Sequence, residues 1–149
     1  MACEFRYQRR VEFSETDLAG IVHFSNFFRY METTEHAFLR SLGLCVHGRV
    51  GGRLVSWPRV HAECKYESPL MFEEEFEIHL LVRHKKRTTL TYDFRFTKLG
   101  ADKPLARGSV TVVCATIDEV TGKISAIAIP EEIDRRIEVA PAELLHGTN

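Results

Sequence analysis

Long apolar runs are missing from this chain. Nowhere do its 149 residues hold the roughly 18 to 20 consecutive apolar side chains that cross a bilayer, which excludes a membrane-spanning helix. The opening MACEFRYQRR also lacks the apolar core of a secretory signal, so the expected compartment is the cytoplasm. An excess of charge is missing too: 20 Lys plus Arg stand against 21 Asp plus Glu, a formal net charge of -1. Bulk attraction to nucleic acid or to an anionic membrane is therefore not expected, and any basic site must be local. The four cysteines, Cys3, Cys45, Cys64 and Cys114, contain no CxxC pair, which argues against a zinc knuckle and against a small disulfide framework. No HExxH or Cys-His cluster occurs, and His79 and His84 have a poor ligand spacing, so no metal is expected. The absence of GxSxG disfavours a serine hydrolase built on a nucleophile elbow.

What is present reads as an ordinary globular chain, 44% hydrophobic and 28% charged, with no low-complexity tract. Its length fits one domain over residues 1–149. Residues 5–13 place Phe5, Tyr7, Val11 and Phe13 on one parity, the pattern of a half-buried strand. From about residue 25 to 41 the period changes. Phe27, Met31, Thr34, Phe38 and Leu42 recur at three- or four-residue steps, which predicts one amphipathic helix ended by Gly43. Residues 44–53, with Gly48, Gly51 and Gly52, read as a loop. Four more extended segments follow, at about 54–66, 74–84, 88–98 and 105–118, and the tail after Pro130 reads as a short helix or irregular cover. One helix cannot bury so many apolar strand faces unless the sheet curls around it. The expected fold is α+β, a five-stranded antiparallel sheet wrapped around one long central helix.

Chemistry concentrates in residues 13–32, FSETDLAGIVHFSNFFRYME. Between a strand and a helix lie the carboxylate of Asp17, the flexible Gly20, the pair Ile21 and Val22, and a helix start near residues 23–26. A helix N-terminus carries unpaired N–H groups and a partial positive charge, so amides about Phe24 suit a developing oxyanion. A carboxylate facing such a helix tip fits acyl transfer from a thioester, because a simple thiol with a pKa of about 8.5 leaves with little protonation. Asp17 serves either as nucleophile or as general base for water. The plainer alternative is an Asp that caps a turn.

The run ETDLAGIVHFSNFFRYME resembles the signature of the 4-hydroxybenzoyl-CoA thioesterase family, whose members adopt the hotdog fold and include the Tol-Pal-associated acyl-CoA thioesterases. Asp17, Gly20, Ile21, Val22, Asn26, Phe27, Tyr30 and Glu32 carry the match, and the strand order agrees over nearly the whole chain. The resemblance implies a thioester hydrolase. It gives Asp17 the nucleophile or base position, the Phe24 amide the carbonyl-polarising position, and Gly20 and Asn26 the shaping of the loop. Many Tol-Pal-type members carry Tyr-His where this chain has His23-Phe24, so His23 is displaced by one residue. Glu32 falls on an acidic position near the aromatic ring of the substrate in the hydroxybenzoyl branch. Lys85, Lys86, Arg87 and Thr88 fall where relatives place groups near the coenzyme A phosphates, and cation clusters between strands also serve solubility. Phe27, Met31 and Trp57 are candidates to line an acyl or aryl pocket or to fill the core. By the same resemblance the substrate is an acyl-CoA, no cofactor is required beyond the coenzyme A of the substrate, and the chain forms a homodimer or a homotetramer with sites at subunit junctions. Two rival readings are a hydratase or dehydratase on acyl thioesters and a non-catalytic acyl-thioester-binding module.

Overall fold

Alternating side chains turn inward along Glu75–Lys85 and Thr89–Lys98: Phe76, Ile78, Leu80, Val82, Leu90, Tyr92, Phe94 and Phe96 are all buried. In this computed structural model, which describes residues 1–147, the elements run β1 (Glu4–Arg10), α1 (Asn26–Ser41), β2 (His47–Val50), β3 (Arg53–Ser56), β4 (Arg59–Tyr66), β5 (Glu75–Lys85), β6 (Thr89–Lys98), β7 (Ala106–Val113), β8 (Ala115–Ile117), β9 (Ile124–Ala126), α2 (Glu131–Asp134) and α3 (Ala142–Leu145). The main sheet is antiparallel, in the order β1-β5-β6-β7-β4, and α1 lies against its inner face. Phe27, Tyr30, Met31, Thr34 and Phe38 form the buried stripe of the helix. Gly108 of β7 lets α1 come close: a Cβ there would collide with the Met31 thioether. A five-stranded curved sheet around one helix is thus the α+β hotdog arrangement.

Several expected boundaries are corrected. Residues 44–53 are not all loop, because β2 and β3 form a hairpin in which Val50 pairs with Arg53 around Gly51 and Gly52. Both glycines have positive φ, 57° and 81°, the backbone of a type I′ turn that twists with the flanking strands. The expected strands at 54–66 and 105–118 each break in two, at Trp57-Pro58 and at Cys114, and their outer pieces join β2 and β9 in a second sheet ordered β2-β3-β8-β9. Pro58 has no N–H to give a ladder, though its carbonyl still accepts the Val113 N–H at 2.9 Å. The first strand stops at Arg10, so Phe13 lies outside it, in a short 3-10 turn (Phe13–Glu15) where its exposed ring meets Phe72 edge-on at 5.8 Å. The tail supplies the short helices α2 and α3, and Arg95 donates to the Leu144 and Leu145 carbonyls at 2.7 and 3.0 Å. No helix among the described residues is long and apolar enough to cross a membrane.

One side chain on the buried stripe of α1 is ionisable. Glu35 is 1% exposed; one oxygen accepts from Arg59 at 3.2 Å and the other has no partner among the described residues. Burial pushes its carboxyl up to about 7, against the pull of Arg59 in the other direction. A group raised in the folded state contributes its stability below its unfolded pKa of about 4.5 and loses it as pH climbs through about 7. Glu35→Gln should therefore be more stable than the parent by about 3 kcal/mol at pH 8, with the difference vanishing at pH 4. Urea denaturation at the two pH values measures this, and equal offsets at both would contradict the assignment.

Candidate active site

Residues 11–26 fold back on themselves at one end of the sheet. Val11 exchanges hydrogen bonds with Glu73 and Glu74, the residues just ahead of β5. Thr16 bridges Val22, and the Asp17 N–H donates to the Ile21 carbonyl at 2.8 Å, closing a three-residue loop. Gly20 takes φ 80° at the reversal, a left-handed value that a side chain would resist. The Val22 N–H donates to Leu70 at 2.8 Å, which pins the loop to the chain leading into β5. Glu15 then joins loop to helix: its carbonyl accepts from the His23 N–H at 2.9 Å and from the Asn26 side-chain amide at 2.8 Å. Its carboxylate is held by Arg9 at 3.0 Å.

The first turn of the helix is prepared by His23. Its Nδ1 accepts the Ser25 N–H at 3.3 Å, as an N-cap side chain does, and the Asn26 N–H closes onto the His23 carbonyl at 2.9 Å. The same ring nitrogen also pairs with the Ser25 hydroxyl at 2.7 Å. The Phe24 N–H is left without a partner among the described residues. It is an orphan donor at the electropositive end of a 16-residue helix. Because the His23 carbonyl of the same peptide unit accepts from Asn26, that N–H is polarised further.

Asp17 and Phe24 line one cavity of about 560 Å³ with Ile21, Val22, Phe27 and Leu70. One carboxylate oxygen of Asp17 accepts the Ala19 N–H at 2.8 Å, which fixes the side chain, while the other has no partner among the described residues. Asp17 also borders a second concavity of about 780 Å³ with Phe13, Leu18, Gly20 and Phe72. The carboxylate therefore sits in a rim of apolar side chains, with Phe24 itself 63% exposed. Such an arrangement can hold a carbonyl between an electrophilic N–H and a nucleophilic or basic oxygen.

The other expected residues divide by place. Phe27 lines the same cavity; His23 and Asn26 brace its edge through the contacts above, the imidazole stacked on the Phe24 ring at 4.6 Å. Met31 and Glu32 lie farther along α1 at a smaller cavity of about 210 Å³ shared with Glu35 and Arg59. Trp57 is buried just ahead of β4, whose other end, at Tyr66, reaches the site. Lys85, Lys86, Arg87 and Thr88 stand at the far end of β5, whose 11 residues span about 36 Å, so a single chain does not bring them to Asp17. The Lys85 ammonium there is occupied by the Ile137 and Asp134 carbonyls at 2.8 and 3.1 Å. No group of three or more His, Cys, Asp or Glu able to hold a metal occurs among the described residues. Tyr66 was not among the expected site residues. It is the last residue of β4, its hydroxyl donates to the Phe24 carbonyl at 2.9 Å, and its ring meets Phe27 edge-on at 5.1 Å.

Asp17 and the start of α1 thus border one cavity at the end of a hotdog sheet. Residues 11–137 match the thioesterase-like superfamily, and the chain belongs to it. A solved structure of a hypothetical protein from Aquifex aeolicus superposes with a TM-score of 0.76 at 30% identity, covering 90% of this chain and 99% of its own. A gentisyl-coenzyme A thioesterase superposes with a TM-score of 0.73 at 26% identity, over 89% and 98%. A 1,4-dihydroxy-2-naphthoyl-CoA hydrolase of Prochlorococcus marinus is 27% identical over 128 residues, 81% of this chain and 80% of the relative.

Proposed function

We propose that this protein hydrolyses the thioester of an acyl-CoA, favouring an aromatic acyl group, to the carboxylic acid and coenzyme A. One observation carries the reading: Asp17, with one carboxylate oxygen uncommitted, and Phe24, with its N–H unpartnered among the described residues, line the same cavity. In the reaction the thioester carbonyl oxygen accepts from the Phe24 N–H, and the carbonyl carbon faces Asp17. The carboxylate either attacks that carbon, giving a mixed anhydride that water then opens, or takes a proton from the attacking water. In both routes the C–S bond breaks and the thiolate leaves. The aromatic preference is supported by Ile21, Phe24, Phe27 and Leu70 in the lining and by the aromatic CoA thioesters that two relatives are named for.

The reading places the enzyme in the cytoplasm as a homodimer, or as two dimers in a homotetramer. β4 supports this: it pairs with β7 on one side, and seven of its eight residues are exposed. A second copy would also supply the exposed Lys86 and Arg87 to coenzyme A phosphates that lie far from those residues in one chain. Light scattering in solution should give the mass of two or four chains, and a monomer would remove this part of the reading. The activity itself is tested with a panel of benzoyl, hydroxybenzoyl, short-chain and long-chain CoA thioesters, read by thiol release. The aromatic members should have the highest kcat/KM; release from none of them would overturn the proposal.

A further inference from the structure

The helix tip that carries the Phe24 amide is not held by the helix alone. Within the residues 23–25 turn, hydrogen bonds to the following residues are long on one side: Phe27 to Phe24 at 3.4 Å and Phe28 to Ser25 at 3.2 Å. The Phe24 carbonyl makes a shorter contact across the cavity, accepting the Tyr66 hydroxyl at 2.9 Å. Tyr66 is placed for this by β4, where it pairs with Ala106, and by the edge-on contact of its ring with Phe27. That bond joins the end of the edge strand to Phe24, which lines the same cavity as Asp17.

We infer that Tyr66 is a positioning residue for thioester hydrolysis: by holding the Phe24 carbonyl it fixes the backbone on the far side of the Phe24 Cα and with it the aim of the Phe24 N–H. The inference rests on the hydrolase reading above and deepens it. An orphan amide stabilises an oxyanion only if it already points where the charge develops, since reorienting it during the reaction would consume the gain. A hydroxyl bond to the Phe24 carbonyl restrains the φ and ψ of Phe24, and φ is one of the two torsions, with the ψ of His23, that orient that N–H. The bond is present across the working pH range, because burial first and the neighbouring Cys64 second push the phenol up to about 12, leaving it a donor. Tyr66 is 45% exposed, so losing its hydroxyl leaves no buried polar gap and the fold has little reason to respond.

The test compares the full-length parent, Tyr66→Phe and Asp17→Asn on the best aromatic CoA thioester. Tyr66→Phe should lower kcat about tenfold, with KM changed by less than twofold and an unaltered melting temperature. Binding of two probes separates positioning from simple support. A CoA thioether, which forms no oxyanion, should bind Tyr66→Phe as well as the parent, whereas a CoA trifluoromethyl ketone, which forms one, should bind about tenfold more weakly. Parental kcat in Tyr66→Phe beside an inactive Asp17→Asn would overturn this inference and leave the hydrolase reading standing. Equal weakening of both probes with a lowered melting temperature would make Tyr66 structural and also overturn it. A parent that releases thiol from no thioester would remove both.

Discussion

Asp17→Asn should lower turnover of the best CoA thioester by at least a hundredfold while KM and the melting temperature stay near those of the parent. The replacement keeps the shape of the side chain and keeps an oxygen to accept the Ala19 N–H, so the loop has no reason to reopen. What it removes is the charge and basicity of the second oxygen, which borders the cavity without a partner among the described residues. An amide neither forms a mixed anhydride readily nor takes a proton from water. Steady-state thiol release measures the effect. Turnover within a few-fold of the parent would remove Asp17 from the chemistry, and the turn-capping alternative would then suffice.

Replacing the Phe24 N–H by an ester oxygen through semisynthesis should cost about a hundredfold or more in kcat, the scale seen when one oxyanion donor is lost. The substitution is chosen because the donor is backbone: no side-chain change at position 24 deletes it, and the Phe24 ring, 63% exposed, is free to vary with smaller consequences. The stability cost should be about 1 kcal/mol, since that N–H makes no hydrogen bond among the described residues and only the weaker ester carbonyl at His23 loosens its bond from the Asn26 N–H. An ester variant that keeps the parental kcat would show that the carbonyl is polarised elsewhere.

The helix and the main sheet were legible because their periodicities are strong. Phe27, Met31, Thr34 and Phe38 recur at helical steps, and apolar residues alternate along β6 and, apart from Leu81, along β5. The loop around Asp17 was legible for a different reason: a carboxylate, a glycine three residues on and a helix start form a local pattern that needs no long-range contact to be read. Elements with weak local patterns or distant partners were not. Val50-Gly-Gly-Arg53 carries the glycine pair of a type I′ hairpin, yet the strands on either side are short and weakly apolar, so a loop was the natural reading. Phe13 continues the parity of β1, but Val11 pairs with Glu73 and Glu74 and the chain turns before residue 13. Tyr66 could not be assigned to the site from sequence, because 42 residues separate it from the carbonyl it holds. Glu35 left a trace that went unused: it lies four residues after Met31 and three before Phe38, on the buried stripe. Residues 85–88 were placed near coenzyme A by resemblance alone, and within one chain β5 holds them at the end away from Asp17, a distance that only a second copy could bridge.

The central claim is that a thioester carbonyl lies between Asp17 and the Phe24 amide. A crystal structure of Asp17→Asn with a bound aromatic CoA thioester tests it most directly. The account requires the carbonyl oxygen at about 2.7–3.1 Å from the Phe24 nitrogen, with the residue 17 side chain against the carbonyl carbon. A thioester bound with its carbonyl turned away from Phe24, and residue 17 facing bulk solvent in the assembled protein, would contradict it.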